Sequence, residues 1–269
     1  MGAALMRLTF VCICSSVLVH MAASPSFSKI DPKTIVGLWL FDEGRGNIAK
    51  DASGNGHHGE FIGLKPKWVE GKFGQAFEFD GQDDSILFNA DERPEHAFIF
   101  HQPTDATFVF WIKRLTLPHV AIFWTRGDVT DKGRFNVYAG AGENFGFTYK
   151  SDDGIPHGIF SRTVNLPFKE WTHLAITRKG NSYIAYKDGV VADRAVDPEP
   201  DLPTARRWIA SGRDGFRFNG ILDEIGAFKA VLSAEDINKI LNNGLEKSAL
   251  VVPSAKNLAT IWGQIKHWK

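Results

Sequence analysis

Asp42, Glu43, Asp51 and Asp223 each sit in or beside a glycine-containing loop. Carboxylate and carbonyl oxygens on such loops are the hard ligands that a calcium ion gathers, six to eight at a time. The same acids also suit turns in which a carboxylate accepts backbone N–H groups without any ion. Asp83-Asp84 and Asp152-Asp153 are paired loop acids that could form a second cation site, but solvated loop acids are the favoured reading because nothing in the sequence fixes them near an ion. A second chemistry is suggested by aromatics beside planar polar groups. Trp124 and Arg126 close one apolar stretch, and Tyr149 and His157 flank a loop at Gly154. A sugar needs that combination, an apolar face for its ring and hydrogen-bonding groups for its hydroxyls. Trp124 and Tyr149 equally suit core or rim packing. His57-His58 is not a chelating pair, since neighbours on a strand point to opposite faces; with Gly54, Gly56 and Gly59 around it, the pair reads as exposed turn residues.

Catalytic patterns are not legible. A retaining or inverting glycosidase needs two carboxylates across the scissile bond. The nearest stretch, Ile221-Leu-Asp-Glu-Ile225, lacks the outer acids of a Glu-x-Asp-x-Glu strand. Gly-x-Ser-x-Gly, zincin and phosphate-loop motifs do not occur. Basic and acidic side chains balance at 31 each, and no basic run is interleaved with aromatics, so the charge pattern of a nucleic-acid binder is missing.

The elements that must carry these residues are short strands. Ile35-Val-Gly-Leu-Trp-Leu-Phe41 is a dense apolar run that ends in the turn chemistry of Asp42-Glu-Gly-Arg-Gly46. The same plan recurs at 76–79, 85–88, 107–113, 120–125, 135–139, 145–149 and 172–178. Phe145, Phe147 and Tyr149 alternate with Gly146 and Thr148, which puts three aromatics on one strand face. Ser182–Lys187 runs into Asp188-Gly189, a two-residue hairpin signal, and 208–211 and 220–229 supply the last strands. One helix is expected at 233–243, with Ser233 as cap, Asp236 three residues on, and Gly244 as its stop. Many short strands and one late helix predict an all-β sandwich. With 43% hydrophobic and 12% aromatic residues, such a domain has core enough to stand without disulfides.

Read in order, Gly37-Leu-Trp-Leu-Phe-Asp-Glu-Gly44, Asp51-Ala-Ser-Gly-Asn-Gly56, Gly71-Lys-Phe-Gly-Gln-Ala-Phe-Glu-Phe-Asp-Gly81 and Thr107-Phe-Val-Phe-Trp-Ile-Lys113 resemble the laminin-G-like, concanavalin A-like jelly-roll family. Trp171-Thr-His-Leu-Ala175, Tyr186-Lys-Asp-Gly189, Phe218-Asn-Gly-Ile-Leu-Asp-Glu-Ile225 and the helix at 232–241 extend the resemblance over about 35–244. It implies a two-sheet antiparallel jelly roll with one short C-terminal helix, and core places for Trp39, Trp111 and Trp171. It also implies that the loop holding Asp42 and Glu43 approaches Asp223 at the last strand, so that these acids could share a structural calcium, with Asp51 a looser addition. The expected function is a non-catalytic extracellular module that binds carbohydrate, or a cell-surface protein in an adhesion role; a glycoside hydrolase or lyase is the less favoured reading.

The chain's ends carry their own signals. Arg7, the apolar run 8–19 and the small residues at Ala22 and Ala23 read as a signal peptide over 1–23, which predicts a secreted or periplasmic protein. Both cysteines, Cys12 and Cys14, fall inside it, so the mature chain is expected to contain no thiol and no membrane span. A leader at 24–33, the domain at 34–244 and an amphipathic tail at 245–269 complete the expected organisation.

Overall fold

Alternation of apolar and polar residues with a period of two sets most of this structure. The computed structural model describes residues 30–63, 65–88, 105–116, 120–125, 134–140, 144–150, 156–197, 208–211 and 215–250. A 3-10 turn at Pro32–Thr34, capped by the Asp31 carboxylate accepting the Lys33 N–H, leads into the first strand. The strands follow in chain order: β1 (Ile35–Trp39), β2 (Ile48–Ala49), β3 (Gly59–Ile62), β4 (Lys67–Glu70), β5 (Gln75–Asp80), β6 (Ser85–Phe88), β7 (Ala106–Arg114) and β8 (Val120–Thr125). Then come β9 (Arg134–Ala139), β10 (Asn144–Lys150), β11 (Pro156–Asn165), β12 (Trp171–Lys179), β13 (Ser182–Lys187), β14 (Val190–Val196), β15 (Trp208–Ala210) and β16 (Asn219–Phe228). Helix α1 spans Ala234–Ala249.

These strands form two antiparallel sheets. The first runs β14-β13-β12-β7-β16-β5-β4, with β1 also paired to β16; the second runs β11-β10-β9-β8-β15-β6-β3-β2. Their facing sides make the main core. Phe77, Phe108, Phe110, Leu174, Ile176 and Leu222 come from the first sheet, and Phe88, Phe123, Val137, Phe145, Phe147 and Trp208 from the second. Trp208 is its hub: it stacks on Phe88 with centroids 3.8 Å apart and meets Trp39, Phe108 and Phe123 edge-on or tilted. A second core lies on the other side of the first sheet. There Ile237, Ile240 and Leu245 of α1 pack with Leu38, Val109, Ala175 and Phe228. The first sheet is thus covered on both faces, and the second sheet's outer face lies apart from both cores.

The structure adjusts several expectations. Gly244 does not stop the helix. It takes φ 78°, ψ 169° and kinks α1, whose second part buries Leu245 and Ala249. The domain therefore runs past 244, because the kink returns an apolar face to the second core. Trp39 is in the main core as expected, whereas Trp111, although 3% exposed, lies on the outer side of the first sheet, and Trp171 is only half-buried at its rim. Strands β2, β3, β4 and β11 lie outside the expected segments. Residues 1–29, the expected signal peptide and the first six residues of the expected leader, lie outside the described residues, as does the tail from 251. Among the described residues no helix is long and apolar enough to cross a membrane.

Candidate functional site

The outer face of the second sheet is built by strand register. Residues directly opposite in an antiparallel pair share a face, so the pairs Leu87↔Ile209, Ile209↔Trp124, Trp124↔Asn136 and Asn136↔Thr148 form one continuous cross-strand row. Their chain neighbours Phe88, Trp208, Phe123, Val137 and Phe147 point into the main core, which turns this row outward. Glu60 and Ile48 extend the row on β3 and β2. A second row runs Ala121–Tyr138–Gly146, and an isolated bridge joins Ala121 to Arg217. A shift in register between Ala121 and Phe123 brings Trp124 to this face. Such a bulge re-aims the side chains that follow it.

The face is apolar at one end and polar at the other. Ile48, Ile62, Leu87 and Ile209 lie toward β2, and Asn136, Tyr138 and Thr148 toward β10. Asn136 Oδ1 is withdrawn from solvent and meets no donor among the described residues. An unpaired buried acceptor costs about 1–3 kcal/mol. Arg217 lies half-buried beside the face, its Nη1 donating to the Asp83 carbonyl at 3.4 Å.

The expected glycan residues divide. Trp124 is on this face and 7% exposed. Tyr149 is not available for stacking: it sits in the main core with Phe145 and Phe147, and its hydroxyl donates to the buried carboxylate of Asp197. Burial and that carboxylate push its pKa upward. The alternation of β10 decides this, since odd positions point inward. His157 pairs with Tyr149 in the backbone register, but its side chain lies outside the described residues, and so does Arg126. Asn136, Tyr138 and Thr148 were missed because single polar residues on short strands carry no sequence signal; only the pairing of β8, β9 and β10 groups them.

Each of the four expected calcium ligands accepts at least one backbone N–H group. Asp51 is 6% exposed and accepts the N–H groups of Leu38 and Ser53 on Oδ1 and of His57 on Oδ2, pinning the 51–57 loop. Asp42 accepts the Gln75 N–H at 2.8 Å, and Glu43 Oε1 the Lys50 N–H at 3.0 Å. Asp223, fully buried, accepts the N–H groups of Lys72 and Phe73 at the tip of the β4–β5 hairpin, at 2.8 and 3.1 Å. Among the described residues no three of these four bring carboxylate oxygens within 4.8 Å of one another, while Glu43 Oε2 and Asp223 Oδ1 are buried without a hydrogen-bond partner. Among the described residues, the acids whose oxygens lie within 4.8 Å of one another in a group of three are Asp80, Asp83 and Asp84. Burial and the neighbouring Asp80 raise the Asp84 pKa, a repulsion that a bound cation would relieve.

A bulge in β16 between Asp223 and Gly226, with Glu224 at φ 52°, places two consecutive acids in buried sites on the helix side of the first sheet. Glu224 Oε2 accepts the Leu245 N–H just past the helix kink. Burial pushes Asp223 up to about 8 and Glu224 up to about 7, and each group's acidic neighbours add to it. His173, buried beside Trp111 with ring centroids 5.3 Å apart, is pushed down to about 3 by burial and meets no partner among the described residues. These acids hold segments together and lie far from the outer face of the second sheet in the topology.

The fold and the family now coincide. A laminin G model of the concanavalin A-like lectin/glucanases superfamily matches residues 80–238, and the chain belongs to that superfamily. Among solved structures it is similar to domain 4 of AbnA, an extracellular GH43 arabinanase from Geobacillus stearothermophilus, in complex with arabinotriose. That match has a TM-score of 0.61 at 17% identity and covers 78% of this chain and 98% of that one. The receptor binding domain of a botulinum neurotoxin C/D mosaic serotype matches with TM-score 0.62 at 13% identity, covering 80% of this chain and 52% of that one. The binding domain of Paraclostridial Mosquitocidal Protein 1 matches with TM-score 0.60 at 16% identity, over 78% and 52%. The chain thus spans about half the length of those two toxin binding domains. No curated protein matches it in sequence.

Proposed function

We propose that the protein is a non-catalytic extracellular module that binds a glycan on the outer face of its second sheet. The observation that carries this reading is the cross-strand row Trp124–Asn136–Thr148, which sets an indole, an amide and a hydroxyl side by side on the face turned away from both cores. A sugar presents an apolar ring face and a fringe of hydroxyl donors, which complement the two kinds of group. The arabinotriose complex of domain 4 of AbnA supports carbohydrate as the ligand class. Against catalysis stands the use of Asp223 and Glu224 as backbone acceptors on the helix side of the first sheet, where no substrate on the second sheet reaches them.

A glycan array followed by calorimetry on the purified protein tests the proposal, and binding of no sugar would end it. The apolar end of the same face, where Ile62 is 47% exposed, favours a second reading, capture of a cell-surface protein in an adhesion role. The toxin receptor binding domains of this fold support that alternative. A structural calcium ion belongs to the proposal at Asp80, Asp83 and Asp84, the acids that are close enough to share one. Thermal unfolding with calcium and then with excess chelator checks it: an ion bound by the folded state raises Tm, and an unchanged Tm removes calcium from the account.

A further inference from the structure

Three Asn-Gly steps occur in the chain, at Asn55, Asn219 and Asn243. Asparagine is thermally labile, and most so before glycine, which carries no Cβ to keep its nitrogen away from the preceding side chain. The fold treats the three steps differently. Asn55 is tied down: its Nδ2 donates to the carbonyls of Ile35 and Val36 at 2.9 and 3.1 Å. Asn219 donates through Nδ2 to the Asp80 carbonyl at 2.7 Å, and Gly220 after it is paired on both sides, with Phe79 of β5 and Arg114 of β7. An extended backbone held by two neighbours cannot turn its nitrogen onto the preceding side chain. Asn243 is exposed, and its side chain has no partner among the described residues. The next residue, Gly244, is where α1 kinks, at φ 78°, ψ 169°, so the regular helix breaks at the labile step itself.

We propose that Asn243 is a self-modification site, whose side-chain amide is displaced by the Gly244 nitrogen, and that the isoaspartyl product unlatches the second part of α1. The Gly244 nitrogen gives up its proton and bonds to Asn243 Cγ; the Cγ–Nδ2 bond breaks, and the amide nitrogen takes up the proton and leaves as ammonia. Water then adds to one of the two carbonyls of the cyclic imide and opens it, leaving either an aspartate at 243 or an isoaspartyl link. In the isoaspartyl product the main chain runs through Cβ and Cγ and is longer by a methylene. Everything past the kink depends on that length. The Leu245 N–H donates to Glu224 Oε2, Leu245 and Ala249 lie in the second core, and a Cβ on Gly244 would stand 3.3 Å from the Phe73 ring, so the chain has no slack there. Either product also brings a carboxylate to the C-terminal end of the first part of α1, where the helix dipole is negative and Glu246 already adds its charge to that of Glu224. Nothing in this chemistry depends on what the second sheet binds.

The test is incubation of the whole protein at 37 °C, at pH 7.4 and again at pH 9, followed by peptide mapping with mass spectrometry that separates aspartyl from isoaspartyl products. Conversion at Asn243 is expected to run at least tenfold faster than at Asn55 or Asn219, and faster at pH 9, because the attacking nitrogen must lose its proton. In denaturant the three steps should convert at rates within about threefold of one another, since the fold is what separates them. Asn243→Gln, whose longer side chain closes a less favourable ring, should abolish the product at 243 while keeping the parent's circular dichroism and Tm. Hydrogen exchange at 245–249 should be at least tenfold faster in the converted protein than in the fresh protein, and unchanged in Asn243→Gln incubated alongside. If Asn55 or Asn219 converts as fast as Asn243 in the folded protein, or Asn243 does not convert, the site is refuted. If Asn243 converts and exchange at 245–249 stays as it was, the unlatching is refuted.

Discussion

The two buried acids of β16 and the buried His173 make stability depend on pH in a way that can be worked out in advance. Asp223 and Glu224 have folded-state pKa values raised to about 8 and about 7, so the folded protein keeps their protons where the unfolded chain has lost them. Their stabilising contribution is complete below the ordinary carboxylate range and is lost as pH rises through 7 and 8. His173 acts in the opposite sense. Its pKa, lowered to about 3, gives stability that is present above its ordinary value near 6.5 and is lost on acidification below that. At about 1.4 kcal/mol per proton and pH unit, the acids outweigh the histidine between pH 8 and pH 5, and the net gain is on the order of 4 kcal/mol. For a domain of this size that corresponds to a Tm higher by about 10 °C at pH 5. Calorimetric melts at half-unit steps from pH 4 to 8.5 measure it. The double variant Asp223→Asn, Glu224→Gln keeps acceptor oxygens for Lys72, Phe73 and Leu245 but removes both titrations; of these three groups His173 then remains, and Tm should fall on acidification below about 6.5. A parent protein equally stable at pH 5 and pH 8, or a double variant with the parent's slope, would refute the reasoning.

Three further outcomes follow from packing. Gly74 takes φ 55° with the Asp42 carboxylate where a Cβ would stand, so Gly74→Ala should cost at least about 1–2 kcal/mol by chemical denaturation. Trp208→Ala removes the hub of the main core and should cost about 3–5 kcal/mol, close to unfolding the domain. Tyr149→Phe deletes the donor to buried Asp197 and should cost about 1–3 kcal/mol in the same assay while leaving glycan affinity unchanged, which separates its core role from a binding one.

The sandwich was legible because its strands are written as apolar alternation between turns, and the order of motifs from Gly37 to Ile225 carried the family resemblance. The inward place of Tyr149 was legible too, since Phe145, Phe147 and Tyr149 share a parity, although the polar residues near it in the chain equally suit a binding role. Asp51 shows why acids in loops mislead. A carboxylate that pins three backbone N–H groups and one that binds calcium occupy the same kind of glycine-containing loop, and only the hydrogen bonds distinguish them. The β16 bulge was hidden for a related reason. Strict alternation would send Asp223 and Glu224 to opposite faces, and the left-handed conformation of Glu224 overrides it. The face bearing Trp124, Asn136 and Tyr138 depends on three non-local pairings and one shifted register, none of which leaves a local trace.

Hydrogen exchange with and without the oligosaccharide that a glycan array selects tests the central claim most directly. The account predicts that the array returns a glycan and that its binding slows exchange in β8, β9 and β10, around Trp124, Asn136 and Tyr138. An array without binders, or protection confined to the β4–β5 hairpin and α1 on the first sheet, would contradict it.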